Sequence, residues 1–258
     1  MAQLYILMLL IIITPILIWL IFNSLTTDGF KQPPRDTNNV DDIYLLSIHP
    51  KTHIKVQSSI ENIRKSFNRE VNIILVEGVI VDPETLATMD ITLSRGQVGC
   101  AMAHANIWDT IINKGGNGWS FIFEDDVIFL DNKLYVDELI TQFPDDAEAV
   151  NLGGCETKHS KFNCPPDQNW CKGWAACTHA YCLTLTGAKL AKQNYIDNNF
   201  LVAVDTSLRR GKKFKKNSYI LTLPTRPDED SARKLVACKS GYFCQRRDGE
   251  FKSDISSL

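Results

Sequence analysis

FIFEDDVIFL (121–130) sets three carboxylates inside an otherwise apolar run. A buried strand cannot hold them, because each unpaired charge in an apolar interior costs several kcal/mol. Glu124, Asp125 and Asp126 must therefore stand where a strand leaves its sheet. In open α/β sheets that edge, at the carboxyl ends of the strands, is where ligands bind. Side chains alternate along extended chain, so Glu124 and Asp126 point to one side and Asp125 to the other. Carboxylates so placed suit a hard divalent cation, which takes oxygen ligands and commonly bridges substrate phosphates. The E-x-D pair is the candidate ligand set. A solvated turn with three acids is the plainer reading of the same residues.

Outward from this stretch, strand and helix signals alternate. IYLLSI (43–48), VNIILVEG (71–78), WSFIF (119–123), AEAVNLGG (147–154), THAYCLTL (178–185) and SYILTL (218–223) read as strands. Between them, SSIENIRKSF (58–67) carries a Ser58…Glu61 capping box and apolar residues at helical spacing. Residues 94–113 read as a helix capped by Ser94 and stopped by Gly115-Gly116. LYVDELITQF (134–143) and TGAKLAKQNYI (186–196) read as further helices, and GKKFKK (211–216) as a solvated basic loop. Buried strands alternating with helices predict an α/β sandwich with a mostly parallel sheet.

The bulk numbers agree. The 258 residues are 44% hydrophobic and 22% charged, which excludes disordered and collagen-like classes. Lys+Arg number 28 against 30 Asp+Glu, for a net charge of −2, so the chain is no general nucleic-acid binder. From Leu4 to Phe22 nearly every residue is apolar, the length of one membrane-spanning helix. No basic residue precedes it and no small-residue cleavage site follows, so an uncleaved signal-anchor is expected over 1–22, with a cleaved secretory signal and a buried core helix as the alternatives. The polar stretch 23–42 reads as a stalk and 43–258 as the globular body.

Upstream of the acids, LSRGQVGCAMAHANIWDTII (93–112), followed after a short gap by WSFIFEDDV (119–127), resembles family 25 glycosyltransferases. That family includes bacterial lipooligosaccharide sugar transferases and procollagen galactosyltransferases. The matches fall at Leu93, Ser94, Gly96, Gly99, Cys100, His104, Trp108, Glu124, Asp125 and Asp126. The chain departs at Ala103, where the family has Ser, and SIHPKTHIKVQSSIENI (47–63) lacks the family's Arg. Weaker likeness runs through AYCLTLTGAKLA (180–191) and VAVDTSL (202–208).

The resemblance implies a GT-A-like, nucleotide-sugar-binding sandwich using Mn²⁺ or Mg²⁺. It implies transfer of a hexose, galactose or glucose, from a UDP-sugar to a hydroxyl of a glycan, glycolipid or hydroxylysine-type acceptor. A diphosphate leaving group gains negative charge, which a metal neutralises. Glu124 and Asp126 are the expected metal ligands, with Asp125 on the ribose or an ordered water. Asp205 is the candidate base for the acceptor hydroxyl; an ordinary helix N-cap is its plainer reading. His104 is expected to donate a hydrogen bond near the sugar nucleotide. Arg95 and Gly96, at a helix N-terminus, are expected to meet phosphate.

Eight cysteines remain, five of them between Cys155 and Cys182. Without a C-x₂-C pair they predict up to three disulfides rather than structural zinc, with Cys100 a buried free thiol. Two basic residues after the span, Lys31 and Arg35, weakly favour a cytoplasmic body. The cysteines favour an oxidising lumen. The expectation is a single-pass type II membrane protein with its body on the Golgi or endoplasmic reticulum lumen side if eukaryotic or viral. FNCPPDQNWCKGWAAC (162–177) reads as a stapled loop beside the cleft, its Trp170 and Trp174 offering flat faces to sugar or anchoring the loop. A non-catalytic binding ectodomain of the same fold is the alternative; a phosphoesterase is disfavoured by the lack of paired histidines.

Overall fold

The computed structural model describes residues 39–89, 92–129, 134–154, 169–198, 202–221, 240–241 and 243–245. All of them belong to one compact unit, Asp36–Leu258. In chain order, β1 (Val40–Ser47), α1 (Ile54–Ser66), β2 (Ile74–Glu77), α2 (Pro83–Thr88) and α3 (Arg95–Lys114) lead to β3 (Trp119–Glu124) and β4 (Val127–Phe129). Next come α4 (Val136–Ile140), β5 (Ala149–Asn151), β6 (Gly153–Gly154), β7 (Trp170–Lys172) and β8 (Ala180–Leu183). The last are α5 (Leu185–Asp197), α6 (Val204–Arg210), α7 (Lys212–Lys216), β9 (Ser218–Leu221), β10 (Ser240–Gly241) and β11 (Phe243–Gln245).

Seven strands form the main sheet in the order β2-β1-β3-β8-β5-β9-β7. β1 pairs parallel with β2 and β3, and β5 with β9. β8 runs antiparallel between β3 and β5, and β7 antiparallel to β9. The sheet is therefore mixed, which corrects the expectation of a mostly parallel one. Parallel neighbours need a crossover, usually a helix. β8 instead re-enters the sheet against the direction of both its neighbours, β3 and β5.

Alternation along the strands builds both cores. Ile43, Leu45, Phe121 and Phe123 pack on one face with Val56, Ile60 and Ile63 of α1 and Leu139 of α4. Tyr44, Leu46 and Ile122 pack on the other with Ala101, Ile107 and Trp108 of α3 and Ala188 and Ala191 of α5. The sheet is thus the middle layer of an α/β sandwich.

Three local expectations are corrected. α1 begins at Ile54 rather than Ser58, because Val56 extends its buried stripe by a turn; His53 caps it, Nδ1 accepting from the Lys55 N–H at 3.2 Å. GKKFKK is no loop: residues 212–216 are α7, tied down by Phe214, which is buried against Trp174. β1 begins at Val40, inside the stretch read as stalk.

Cys100 and Cys182 stand outside any disulfide, Cys100 half-buried rather than buried, while Cys171 and Cys177 are disulfide-bonded. Cys155, Cys164 and Cys238 lie outside the described residues. So does the apolar segment 4–22; among the described residues no helix is long and apolar enough to cross a membrane.

Candidate functional site

The site grows from the junction of α3 and β3. Ser94 and Gln97 close a capping box at the start of α3, the Gln97 N–H donating to Ser94 Oγ at 3.2 Å and Ser94 N–H to Gln97 Oε1 at 2.9 Å. At the far end Gly115, at φ +75°, stops the helix, and a tight connection delivers the chain into β3. α3 therefore lies back along β3, and its N-terminal half reaches the edge where β3 ends. A Cβ at Gly99 would overlap the Val79 carbonyl, so glycine there lets α3 seat against the chain after β2.

At that edge Glu124 meets α3. Its Oε1 accepts from Thr178 Oγ1 at 2.7 Å and from His104 Nε2 at 3.1 Å. On the ring's other side, His104 Nδ1 lies 2.7 Å from the Tyr181 hydroxyl, which accepts from Trp108 Nε1 at 3.0 Å. Donor counting orients the chain. Trp108 only donates. The Tyr181 O–H then donates to Nδ1, and the Nε2 proton points at Glu124. Burial alone raises the Glu124 carboxyl, but the hydrogen bonds from His104 and Thr178 and the nearby histidines outweigh it. The group stays below the ordinary glutamate range and keeps its charge.

Asp125 lies in the turn that follows β3. Ser47 Oγ, at the end of β1, donates to its Oδ2, and Ser59 Oγ of α1 donates to its backbone carbonyl at 2.7 Å. Burial pushes its carboxyl above the ordinary range against the pull of Ser47, His49 and Lys55. Burial, then the charges of Glu124, Asp205 and Asp126, push the Cys100 thiol well above its ordinary value.

Asp205 sits inside the first turn of α6, not at its N-cap, which Ala203 occupies. Its Oδ1 accepts from the Thr206 N–H at 2.6 Å. His104 is 0% exposed. Its Nε2 meets Glu124, the carboxylate at the tip of β3. Arg95 and Gly96 stand nine and eight residues up the helix from His104, about 13 Å along the axis. They flank the carboxylates at a distance rather than joining them. Arg95 Nε is buried with no hydrogen-bond partner among the described residues. Trp174 is fully buried against Tyr181 and Phe214, and Trp170 packs edge-on against Phe143. Both are anchors rather than sugar platforms.

Sequence reasoning missed Thr178, Tyr181, Ser47 and Ser59. Tyr181 and Thr178 sit in a stretch that reads as plain core strand. The one available signal was chemical: a buried tyrosine hydroxyl needs a partner. The turn before Thr178 passes through Cys177 at φ +77°, uncommon for a residue with a side chain. Asn151 Nδ2 holds that residue's carbonyl at 3.1 Å.

A family model described as glycosyltransferase family 25 (LPS biosynthesis protein) matches residues 80–208. Among solved structures, the crystal structure of a glycosyltransferase involved in the glycosylation of the major capsid of PBCV-1 is similar at 13% identity and a TM-score of 0.48. The likeness covers 84% of this chain and 100% of that one. A search of curated proteins returned no match. The matched span takes in α3, the acid-tipped end of β3, Thr178 and Asp205 together, and with it the chain belongs to glycosyltransferase family 25 and is a sugar-transferring enzyme.

Proposed function

We propose that the enzyme transfers a hexose, galactose or glucose, from a UDP-sugar to a hydroxyl of a glycan, glycolipid or hydroxylysine-type acceptor, in a metal-dependent reaction. The observation carrying this reading is the ionised Glu124 at the tip of β3, fixed by His104 and Thr178, with Asp126 two residues beyond it in the turn. Neighbouring carboxylates repel, and a bound cation relieves that repulsion. The donors are hard carboxylate oxygens, which fit Mn²⁺ or Mg²⁺. Glu124 and Asp126 would hold the ion. Bound there, it would neutralise charge on the departing diphosphate.

The remaining roles fall to the chain itself. His104 and Thr178 keep Glu124 ionised and fixed in direction. Asp125, braced by Ser47 and Ser59, holds the turn that leads to Asp126. Arg95, with its unused Nε–H, meets a phosphate oxygen together with the backbone at Gly96. Asp205 takes the proton of the acceptor hydroxyl as it attacks the anomeric carbon. The body is placed on the lumenal side of a membrane by an anchor at 1–22, a reading supported by the apolar run and by the bonded Cys171 and Cys177.

The test is a donor screen on the full-length protein, following UDP release with Mn²⁺, Mg²⁺ and EDTA, in wild type and Asp126→Asn. Turnover with one UDP-hexose, loss in EDTA and a fall of at least about 10²-fold in the variant are expected, several kcal/mol of lost charge stabilisation. Normal turnover by a folded Asp126→Asn protein removes the metal assignment.

A further inference from the structure

Cys100 and His104 lie one turn apart on the same side of α3, and Glu124 comes to meet them from the end of β3. One ligand atom from each, a thiol sulfur, an imidazole nitrogen and a carboxylate oxygen, lies within 4.8 Å of the other two. We propose that these three residues form a site for a thiophilic divalent cation, with zinc as the physiological type, open to water or an exogenous ligand at its fourth position. The site differs in ligands and in metal class from the hard-cation pair of Glu124 and Asp126, and stands whether or not transfer needs that pair.

The ligand chemistry makes the distinction. Thiolate and imidazole favour zinc, cobalt and copper, whereas Mn²⁺ and Mg²⁺ prefer oxygen. Zinc bonds of about 2.0–2.3 Å put tetrahedral ligand atoms about 3.4–3.8 Å apart. The three atoms therefore need close by only about 1 Å, within the reach of side-chain torsions. Three protein ligands with one open position is the arrangement of reactive rather than purely structural zinc sites.

The surroundings supply the outer shell such a site requires. Metal on His104 Nε2 leaves the ring proton on Nδ1, and the Tyr181 hydroxyl oxygen, 2.7 Å away, accepts it. Trp108 Nε1 holds that hydroxyl in place at 3.0 Å, and Thr178 steadies Glu124 at 2.7 Å. Such partners fix ring orientation and ligand direction in metal sites. His104 is closed to solvent while the Glu124 side chain keeps 14% of its surface, so the carboxylate marks the way in. Binding releases the thiol proton to solvent as sulfur bonds the metal, and the Nε2 proton moves to Nδ1 by exchange; no oxidant or reductant is involved. With Glu124 drawn toward α3, a thiophilic ion competes with any hard cation for the same carboxylate.

The experiment uses the full-length protein, stripped with EDTA, freed of chelator and of thiol reagents, and titrated with Co²⁺ as the probe. One equivalent should produce thiolate-to-cobalt charge-transfer absorption that Zn²⁺ abolishes by displacement. Cys100→Ser should lose the band. Glu124→Gln and His104→Asn should weaken cobalt by at least about tenfold, since even outer-shell partners are worth that much. Asp126→Asn should keep the band. A wild-type protein with no thiolate band overturns the proposal, as does the same band in Cys100→Ser or unchanged affinity in folded His104→Asn. The readout needs no turnover: a cobalt band in a protein that releases no UDP would refute sugar transfer from UDP donors and leave this site standing.

Discussion

Tyr181 carries more of the site than its place in the middle of β8 would suggest. Its single hydroxyl serves Trp108 Nε1 and His104 Nδ1, both on α3, and through the ring of His104 it aims the Nε2 proton at Glu124. All three residues are 0% exposed. Tyr181→Phe keeps the packing volume and removes the oxygen, leaving two buried polar groups without partners at about 1–3 kcal/mol each. We expect urea unfolding to show a loss of about 2–5 kcal/mol, with little change in the slope against denaturant. A loss under about 0.5 kcal/mol would mean that the relay through the hydroxyl contributes nothing to the fold. This network was only half legible in the sequence. The apolar run ending in acids put Glu124 at the tip of β3, because the pattern of a strand is local, whereas Asp125 and Asp126 lie in the turn beyond it. The link from His104 to Tyr181 spans 77 residues and is made by sheet pairing, to which no local pattern points.

At the scale of elements, α3 is held by the residue it lacks. Elsewhere in a helix, Gly→Ala gains about 1 kcal/mol from propensity. At Gly99 the new Cβ would collide with the backbone carbonyl of Val79, which cannot swing aside as a side-chain tip can. Overpacking of this kind costs about 1–3 kcal/mol and wins over propensity. Gly99→Ala should therefore lower the melting temperature, whereas the same change at a helical glycine without such a neighbour would raise it. The edge strand β7 is held differently, by charge. Lys172 Nζ lies 2.8 Å from Asp146 Oδ2, and Tyr219 of β9 donates to the same carboxylate. The hydrogen bonds from Lys172 and then Tyr219 hold the Asp146 carboxyl below its ordinary value. A depressed acid stabilises the fold above its unfolded pKa, here 3.8, and loses that contribution as pH falls through the still lower folded value. Wild type should melt higher than Asp146→Asn at neutral pH, and the gap should close below about pH 3.8. The pair is exposed, so the gap is small and salt reduces it further. A gap that widens in acid would refute the assignment.

For the whole molecule, the apolar runs made the layered α/β architecture legible, since each strand had to be covered on both faces. The direction of the sheet's right half was not legible. β8 and β7 are short apolar or mixed segments, and nothing in their composition records the direction in which they run. The start of the body was misplaced for a related reason. Val40, Asp41 and Asp42 read as polar stalk, yet they form the first turn of pairing in β1. The Asn39 carbonyl accepts from the Trp119 N–H at 2.8 Å, and Asp41 Oδ2 from the Gly118 N–H at 2.9 Å. Asp42 takes Lys114 Nζ at 2.5 Å and the Tyr44 hydroxyl at 3.1 Å. These bonds fasten the end of α3 and the start of β3, the two elements whose junction makes the site. Each is worth about 0.5–1.5 kcal/mol net. Together they are a large share of the about 5–15 kcal/mol by which a domain is stable. A fragment beginning at residue 36, the boundary of the compact unit, should therefore fold, stay soluble and retain the activity of the full chain. One beginning at residue 43 should lose several kcal/mol in denaturant unfolding and lose turnover in step. Equal stability of the two fragments would show that the polar residues ahead of Ile43 belong to the stalk after all, and that α3 and β3 are aligned by their own packing alone.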